Sequence, residues 1–155
     1  MSEQLTFGFY KQLQCQPMDL AYIAGLFDGE GSICIAKAKP RGGRKSPHYT
    51  LAINITNTNM EVLEWTQSLF GGSINRKEGV NKPCFSWYCS ALKAEHFLMS
   101  ILPFLKIKKG RAKIALGYRR WVDSLVLPSG RGRRWSNDVI AKKEEFRQRI
   151  KVLNH

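Results

Sequence analysis

Acidic residues are scarce in this chain. Among 155 residues, 12 are Asp or Glu and 25 are Lys or Arg, which gives a net charge of +13 at pH 7. No apolar run reaches the roughly 18 residues needed to cross a membrane, and the N-terminus lacks the basic start and apolar block of a secretory signal. We therefore expect an intracellular protein, in the cytoplasm, the nucleoid or an organelle, with no membrane partner.

Cysteine and histidine patterns typical of structural zinc are also absent. The four cysteines form no C-x-x-C pair, and none of the three histidines lies at zinc-finger spacing. Reduced thiols in an intracellular protein are the simplest interpretation. A hydrophobic content of 43% is enough for a real core and argues against intrinsic disorder, and the length suits one domain.

The positive charge is clustered. Residues 104–155 contain fifteen basic and four acidic residues, whereas residues 1–103 contain ten and eight. The first part nevertheless holds one dense basic patch, made of Lys37, Lys39, Arg41, Arg44 and Lys45. Two such clusters favour two contacts with the phosphate backbone of a nucleic acid, although a solvated basic face explains either cluster alone.

The hydrophobic periodicity predicts an α+β domain. A helix from Asp19, a hairpin over 32–56, a helix over 60–69, a second hairpin over 73–90 and helices over 92–105 and 111–125 give the order αββαββα, and a further helix follows Ser136 or Asn137. Helices then cover one face of an antiparallel sheet. We expect an N-terminal extension at 1–17 and a single domain at 18–155, with a core at about 19–125 and a C-terminal helical region at about 126–155.

The uncovered face of the sheet is predicted to carry hydrogen-bonding side chains suited to the DNA major groove, although an ordinary solvent face looks the same residue by residue. Strands 1 and 4 are ambiguous, since Lys37 shares a parity with Ile33 and since Phe85 and Trp87 compete with Tyr88 for the core. The predicted DNA-contacting residues are Ser32, Cys34, Lys37, Lys39, Arg41, Arg44, Lys45, His48, Thr50, Asn54, Asn75, Lys77 and Trp87.

The first helix carries two further features. Ala21, Gly25 and Gly29 are spaced by four and form a row of small residues that lets another helix approach closely. Asp28 and Glu30 follow at the helix end, beside a basic surface, where carboxylates suit Mg²⁺. The alternative is that both acids cap local turns and pair with Lys or Arg.

The segment Ile23–Gly31, with sequence IAGLFDGEG, resembles the LAGLIDADG motif of homing endonucleases. The following hairpin and the segment Leu102–Ala112, with sequence LPFLKIKKGRA, strengthen the resemblance, because the latter is similar to the family segment that supplies a catalytic lysine. The resemblance implies an αββαββα fold whose saddle-shaped antiparallel sheet is backed by helices and binds double-stranded DNA.

The resemblance also implies roles for individual residues. Glu30 matches the metal ligand, Gly29 the position whose backbone carbonyl assists, and Lys108 the lysine near the scissile phosphate. Asn57 matches a position that often holds a water-organising Gln. The implied cofactor is Mg²⁺, which Mn²⁺ replaces, while Ca²⁺ supports binding without cleavage.

Only one such motif occurs in the chain, and single-motif members of the family act as homodimers on long, partly palindromic targets. The expected dimer interface consists of Ala21, Ala24, Gly25, Leu26 and Asp28. Two alternatives remain, a maturase that helps a host intron RNA to splice and a DNA-binding protein that has lost cleavage.

Overall fold

The computed structural model describes residues 15–78, 82–130 and 132–153. The elements are α1 (Pro17–Glu30), β1 (Gly31–Ala38), β2 (His48–Asn57), α2 (Met60–Phe70), β3 (Ser73–Lys77), β4 (Cys84–Ser90), α3 (Ala91–Ile101), a 3-10 turn (Leu102–Phe104), α4 (Lys109–Asp123) and α5 (Asn137–Val152). The predicted order αββαββα, with a further C-terminal helix, is confirmed. Most of the predicted extension at 1–17 lies outside the described residues. Across the described ranges, no helix has the length and apolar character to span a membrane.

The four strands form one antiparallel sheet in the order β1-β2-β4-β3. The register aligns Ile33 with Ile53 and Ile53 with Cys89, so that one face carries the apolar side chains of every strand. Helices cover that face, and its central residues are 2% exposed or less: Ile33, Ile35, Leu51, Ile53, Ile55, Trp87 and Cys89. None of the described helices covers the opposite face, which is called the open face below.

Helix α1 runs into β1 without an intervening loop. The helix begins at Pro17, whose missing N–H costs nothing at the first helical position, and Asp19 accepts a hydrogen bond of 3.1 Å from the Gln16 backbone N–H. At the other end, a Cβ atom on Gly31 would lie 2.2 Å from the ring of Phe27. Glycine is therefore required at the point where the chain turns from helix into strand.

The C-terminal helix belongs to the same core. Ser136 caps α5 by accepting a hydrogen bond of 3.3 Å from the Val139 N–H. The Phe146 ring packs against those of Tyr118 and Trp121 in α4, with centroids 5.6 and 5.7 Å apart. The Tyr118 hydroxyl then donates to the backbone carbonyl of Tyr49 in β2, at 3.2 Å. This chain of contacts ties α5, through α4, to the sheet.

Strand β1 pairs with β2 continuously from Gly31 to Ala38, with no bulge. Lys37 consequently lies on the helix-covered face, next to Tyr49, at the end of the sheet where the apolar core stops. In β4 the core side chains are Phe85, Trp87 and Cys89, and Tyr88 lies on the open face. Both ambiguous strands are thereby resolved.

Candidate functional site

Asp28 joins the end of α1 to the segment that starts α4. Its carboxylate accepts hydrogen bonds from the backbone N–H groups of Lys106 at 2.7 Å, Ile107 at 3.1 Å and Lys108 at 2.8 Å. Burial works to raise the pKa of Asp28, but these three bonds and the Lys108 charge outweigh it, so the pKa lies below its ordinary value. The carboxylate is used inside the chain, so the predicted dimer contact through Asp28 is wrong.

Lys108 is buried beside Asp28, with 7% of its surface exposed. Its ammonium group donates to the backbone carbonyl oxygen of Asp28. Burial lowers the pKa of Lys108 and the neighbouring Arg111 charge lowers it further, while the charges of Asp28 and Glu30 act in the opposite direction. Of the other two lysines of the segment, Lys106 is exposed and Lys109 is partly exposed. The structure therefore singles out Lys108 as the lysine held in a fixed position near Glu30.

Glu30 is the last residue of α1, and its side chain is exposed. Because Gly31 pairs with Ile55, the end of β2 lies beside the start of β1, and Asn57 follows two residues later. The Oδ1 atom of Asn57 accepts a hydrogen bond of 2.8 Å from the Asn59 N–H. The fold thus brings Glu30, Lys108 and Asn57 to one end of the sheet.

This donor set fits a divalent cation shared with phosphate. Among the described residues there is no group of three or more His, Cys, Asp or Glu side chains able to enclose a metal. One chain offers the exposed Glu30 carboxylate and, next to it, the Gly29 backbone carbonyl, both hard oxygen donors. Mg²⁺ retains several waters and completes its shell with substrate phosphates, so a single exposed protein carboxylate suits it.

The row of small residues on α1 is exposed. Ala21, Gly25 and Gly29 all face outward, and a Cβ atom added to either glycine would meet nothing within 4 Å. Among the described residues, no contact therefore demands glycine at these two positions, unlike Gly31. The row is free to receive a neighbouring helix.

One of the predicted interface positions on this helix face needs correction. Ala24 is wholly buried in the core, so it contacts no second chain, whereas Leu26 is partly exposed and its interface role stays a prediction. Sequence reasoning missed Met18 and Tyr22, whose surfaces are 81% and 60% exposed on the same helix. The signal available in the sequence was a pair of large apolar residues one helical turn apart.

The register places seven of the predicted DNA-contacting residues on the open face. Asn54 lies opposite Ser32 on one side and Tyr88 on the other, and the Ser32 hydroxyl donates to the Asn54 Oδ1 at 2.6 Å. The same face carries Cys34, His48, Thr50, Asn75 and Lys77. Contact with DNA itself stays a prediction for each of them.

Trp87 does not contribute to this face. It is wholly buried, its indole N–H donates to the Gly71 carbonyl at 2.8 Å, and its ring packs on Phe97. Its predicted DNA contact is wrong because its neighbours Phe85 and Cys89 place that parity of β4 in the core. Tyr88 takes its place, 40% exposed at the centre of the open face. Counting apolar residues of each parity in β4 favours this choice.

Lys37 is a second correction. Its ammonium nitrogen lies 3.0 Å from the Glu144 carboxylate of α5, on the face opposite the reading residues. Hydrogen bonds to Glu144 and Tyr49 raise the pKa of Lys37 above its ordinary value. The predicted role of Lys37 in DNA contact is therefore replaced by an ion pair that holds α5 to the sheet.

The basic patch of the first hairpin meets one segment of the basic C-terminal part in space. The Lys45 backbone N–H donates to the Arg133 carbonyl at 3.2 Å, and the Trp135 N–H donates to the Ser46 hydroxyl at 2.7 Å. The tip of the first hairpin, with the exposed side chains of Lys39, Arg41, Arg44 and Lys45, is therefore fastened to the basic segment 132–135. The result is one continuous basic surface at the outer end of the sheet.

Solved structures share this fold. I-CvuI in complex with the I-CreI target superposes with a TM-score of 0.68 at 16% identity, over 94% of this chain and 84% of I-CvuI. I-AabMI bound to uncleaved DNA gives 0.64 at 15% identity, over 84% of this chain and 45% of I-AabMI. The group I intron-encoded I-CeuI complexed with DNA gives 0.57 at 18% identity, over 70% and 57% of the two chains. No curated protein sequence gave a match.

The sequence itself matches the family described as LAGLIDADG endonuclease over residues 23–124. That range starts within the motif at the end of α1 and ends just after α4, so it takes in the open face, Asp28, Glu30 and Lys108. Since the match spans well over half of the chain, this protein belongs to the LAGLIDADG endonuclease family.

Proposed function

We propose that the chain is a metal-dependent homing endonuclease that makes a sequence-specific double-strand break as a homodimer. The observation that carries the proposal is that the two acidic residues at the end of α1 have different surroundings. Asp28 is withdrawn into hydrogen bonds with α4, whereas Glu30, two residues later, presents an exposed carboxylate beside the buried Lys108.

Glu30 is the residue that would hold the cation, with the Gly29 carbonyl as a neighbouring donor. A bound Mg²⁺ supplies polarisation of the scissile phosphate and a lowered pKa for an attacking water. An ammonium group has three N–H donors, and the bond to the Asp28 carbonyl orients the group, so Lys108 is suited to stabilise negative charge that develops on the phosphate. Asn57, at the same end of the sheet, orients water through its amide.

The homodimer is supported by the exposed row of Ala21, Gly25 and Gly29. No described part of the chain lies within 4 Å of a Cβ atom placed on either glycine, and a self-complementary helix face is what a two-fold interface needs. Two copies would bring two Glu30 carboxylates together, one for each DNA strand. The fold match to less than half of I-AabMI supports the view that one chain supplies half of a nuclease.

A dimer with two-fold symmetry calls for a partly palindromic target, because each open face meets one half-site. On that face, base edges are contacted by polar side chains such as Asn54, Thr50 and Asn75, with Tyr88 among them. The joined basic surface around Arg44 and Arg133 contacts phosphates. The intracellular location expected from the sequence stays a prediction.

The decisive variant is Glu30→Gln, which keeps the shape of the side chain but removes the charge that binds a cation. Duplexes that bind the protein in Ca²⁺ are first selected from a random pool and are then challenged with Mg²⁺ or Mn²⁺. We expect the wild type to cut both strands, and Glu30→Gln to bind the same duplexes while cleavage falls by at least about 100-fold. Glu64→Gln, a charge loss on the exposed side of α2, is the control and should cut normally.

Other outcomes separate the alternatives. Selected duplexes that the wild type binds but never cuts would indicate a DNA-binding protein without nuclease activity. Acceleration of intron splicing in the absence of any DNA cleavage would indicate a maturase. Sedimentation of the DNA complex as one protein chain per duplex would contradict the homodimer while leaving the nuclease intact.

A further inference from the structure

A groove runs along the free edge of β1. Its volume is about 210 Å³, and its lining residues are Cys34, Ile35, Ala36, Arg147, Ile150 and Lys151. Strand β1 is an edge strand, paired only with β2, and α5 lies along it. The groove is therefore built between the outermost strand of the sheet and the C-terminal helix.

One side of this groove is continuous with the open face. Cys34 and Ala36 share the open face with Ser32 and Thr50, whereas Ile35 and Ile150 are buried and form the floor. Cys34, on the open face, and Arg147, on α5, line the same groove, so the groove extends from the helix to the open side of the strand edge. Arg147 and Lys151, one helical turn apart, form the cationic rim.

The charge balance of this rim is positive. Arg147 donates through Nη1 to Glu144 at 2.8 Å, and a guanidinium offers five N–H donors, so this single bond uses a small part of its capacity. Glu144 in turn accepts from Lys37, Tyr49 and Gln148 as well, so its one negative charge is shared between two cations, Lys37 and Arg147. None of the six lining residues is acidic.

We propose that this groove is a binding site for the DNA phosphate backbone, with Arg147 and Lys151 as its contacts. The proposal rests on the function proposed above, in which the duplex lies against the open face. When Asn54 and Thr50 contact base edges of a duplex, one phosphate backbone of that duplex runs along the side of the sheet. Strand β1 is the outermost strand on that side. Glu144 acts as a positioning residue, because its bond with Arg147 orients the guanidinium at the rim.

The cleanest test is Lys151→Ala, compared with Lys142→Ala. Both remove one lysine charge from an exposed position on α5, but Lys142 lies over the Trp121 ring, with Nζ 5.0 Å from the centroid, on the side that faces α4. Binding of a mixed-sequence duplex of about 40 base pairs is measured in Ca²⁺ at several salt concentrations. Lys151→Ala should weaken binding about fivefold, whereas Lys142→Ala should leave it nearly unchanged.

The salt dependence adds a second readout. Removing one phosphate-binding charge makes the slope of log K against log salt shallower by about 0.9, so a homodimer in which both chains carry Lys151→Ala should show about twice that change. Lys151→Arg should restore the wild-type slope. Arg147→Ala should likewise weaken binding and make the salt slope shallower. Because this substitution also removes the bond to Glu144, the melting temperature of the variant is compared with that of the wild type.

The outcomes distinguish the two proposals. If the wild type binds and cuts selected duplexes while Lys151→Ala and Lys142→Ala behave alike, the groove proposal is overturned and the nuclease stands. If the wild type binds no duplex, both fall. Phosphate ethylation interference on a selected duplex should show sensitive positions outside the cut sites that disappear with Lys151→Ala, and an unchanged pattern would count against the groove.

Discussion

Asp28 and Glu144 each gather several hydrogen-bond donors, but they do so with different chemistry. Asp28 binds three backbone N–H groups of one tight turn, at 2.7–3.1 Å, with 9% of its surface exposed. Glu144 binds four side-chain donors from β1, β2 and its own helix. Backbone donors are already fixed by the fold, whereas long side chains lose rotamer freedom to form each bond.

The low pKa values of the two carboxylates also have different causes and different consequences for stability. Backbone bonds hold the pKa of Asp28 below its ordinary value against the effect of burial. The bond from Gln148, with those from Tyr49, Lys37 and Arg147, lowers the pKa of Glu144 to about 2. Because the Glu144 side chain is 29% exposed, solvent screens its ion pairs and their contribution to stability is smaller than the shift suggests. The contact that Asp28 makes with the segment before α4 is therefore rigid, and the contact that Glu144 makes between α5 and the sheet is adjustable. These two contacts are called the Asp28 joint and the Glu144 joint.

Asp28→Asn should show the largest effect of the two sites on stability. An amide has one acceptor oxygen and would place its NH2 group against a backbone N–H, so we expect the free energy of unfolding to fall by about 3 kcal/mol. Urea unfolding followed by circular dichroism measures the loss. Asp19→Asn is the control, since Asp19 accepts one exposed N–H bond, and it should cost less than about 1 kcal/mol. Equal losses would contradict the special position of Asp28.

Glu144→Gln should cost about 1 kcal/mol, because its ion pairs are partly solvated and Gln still accepts some of the bonds. The control is Glu145→Gln, which removes the same charge at the next, exposed position of α5 and should be neutral. A loss as large as that of Asp28→Asn would mean that the two joints are equally rigid, which would end the comparison.

Acid should reduce the difference between the wild type and Glu144→Gln. A carboxylate whose folded pKa is depressed stabilises the protein fully above its unfolded pKa, and that contribution is lost as pH falls through the folded pKa. With a folded pKa of about 2 and an ordinary value near 4.3, the difference in melting temperature should be constant above about pH 5 and shrink toward pH 2. A difference that grows in acid would contradict the assignment of Glu144 as the charged acceptor.

Local patterning predicts the elements well, because each one is dictated by nearby residues. The alternation of Leu51, Ile53 and Ile55 and the glycines that follow α2 place strands and helix ends to within two residues. Glu30, Lys108 and Asn57 are identified through family resemblance and not through spacing alone. Their gathering at one end of the sheet depends on strand register, which no local pattern specifies.

The errors have a common physical origin in long-range contacts. The sequence places Lys37 among the DNA-contacting residues because its partner, Glu144, lies 107 residues away along the chain. It places Ala24 and Asp28 at the dimer surface because nothing near them in sequence reveals that α3 and the α4 entry cover that side of α1. The error at Trp87 has the same origin, because Phe97 of α3 packs on its ring. Burial by a distant segment is the information that a single sequence least contains.

The direct passage from Glu30 into Gly31 has a mechanical consequence for the proposed nuclease. No residue separates the end of α1 from the first residue of β1, and Gly31 admits no side chain because Phe27 fills that space. In that nuclease, the position of Glu30 relative to the first residues of β1 would therefore be fixed by a direct chain connection. Substitutions along β1 and β2 should change which sequence is cut without moving the cut within it.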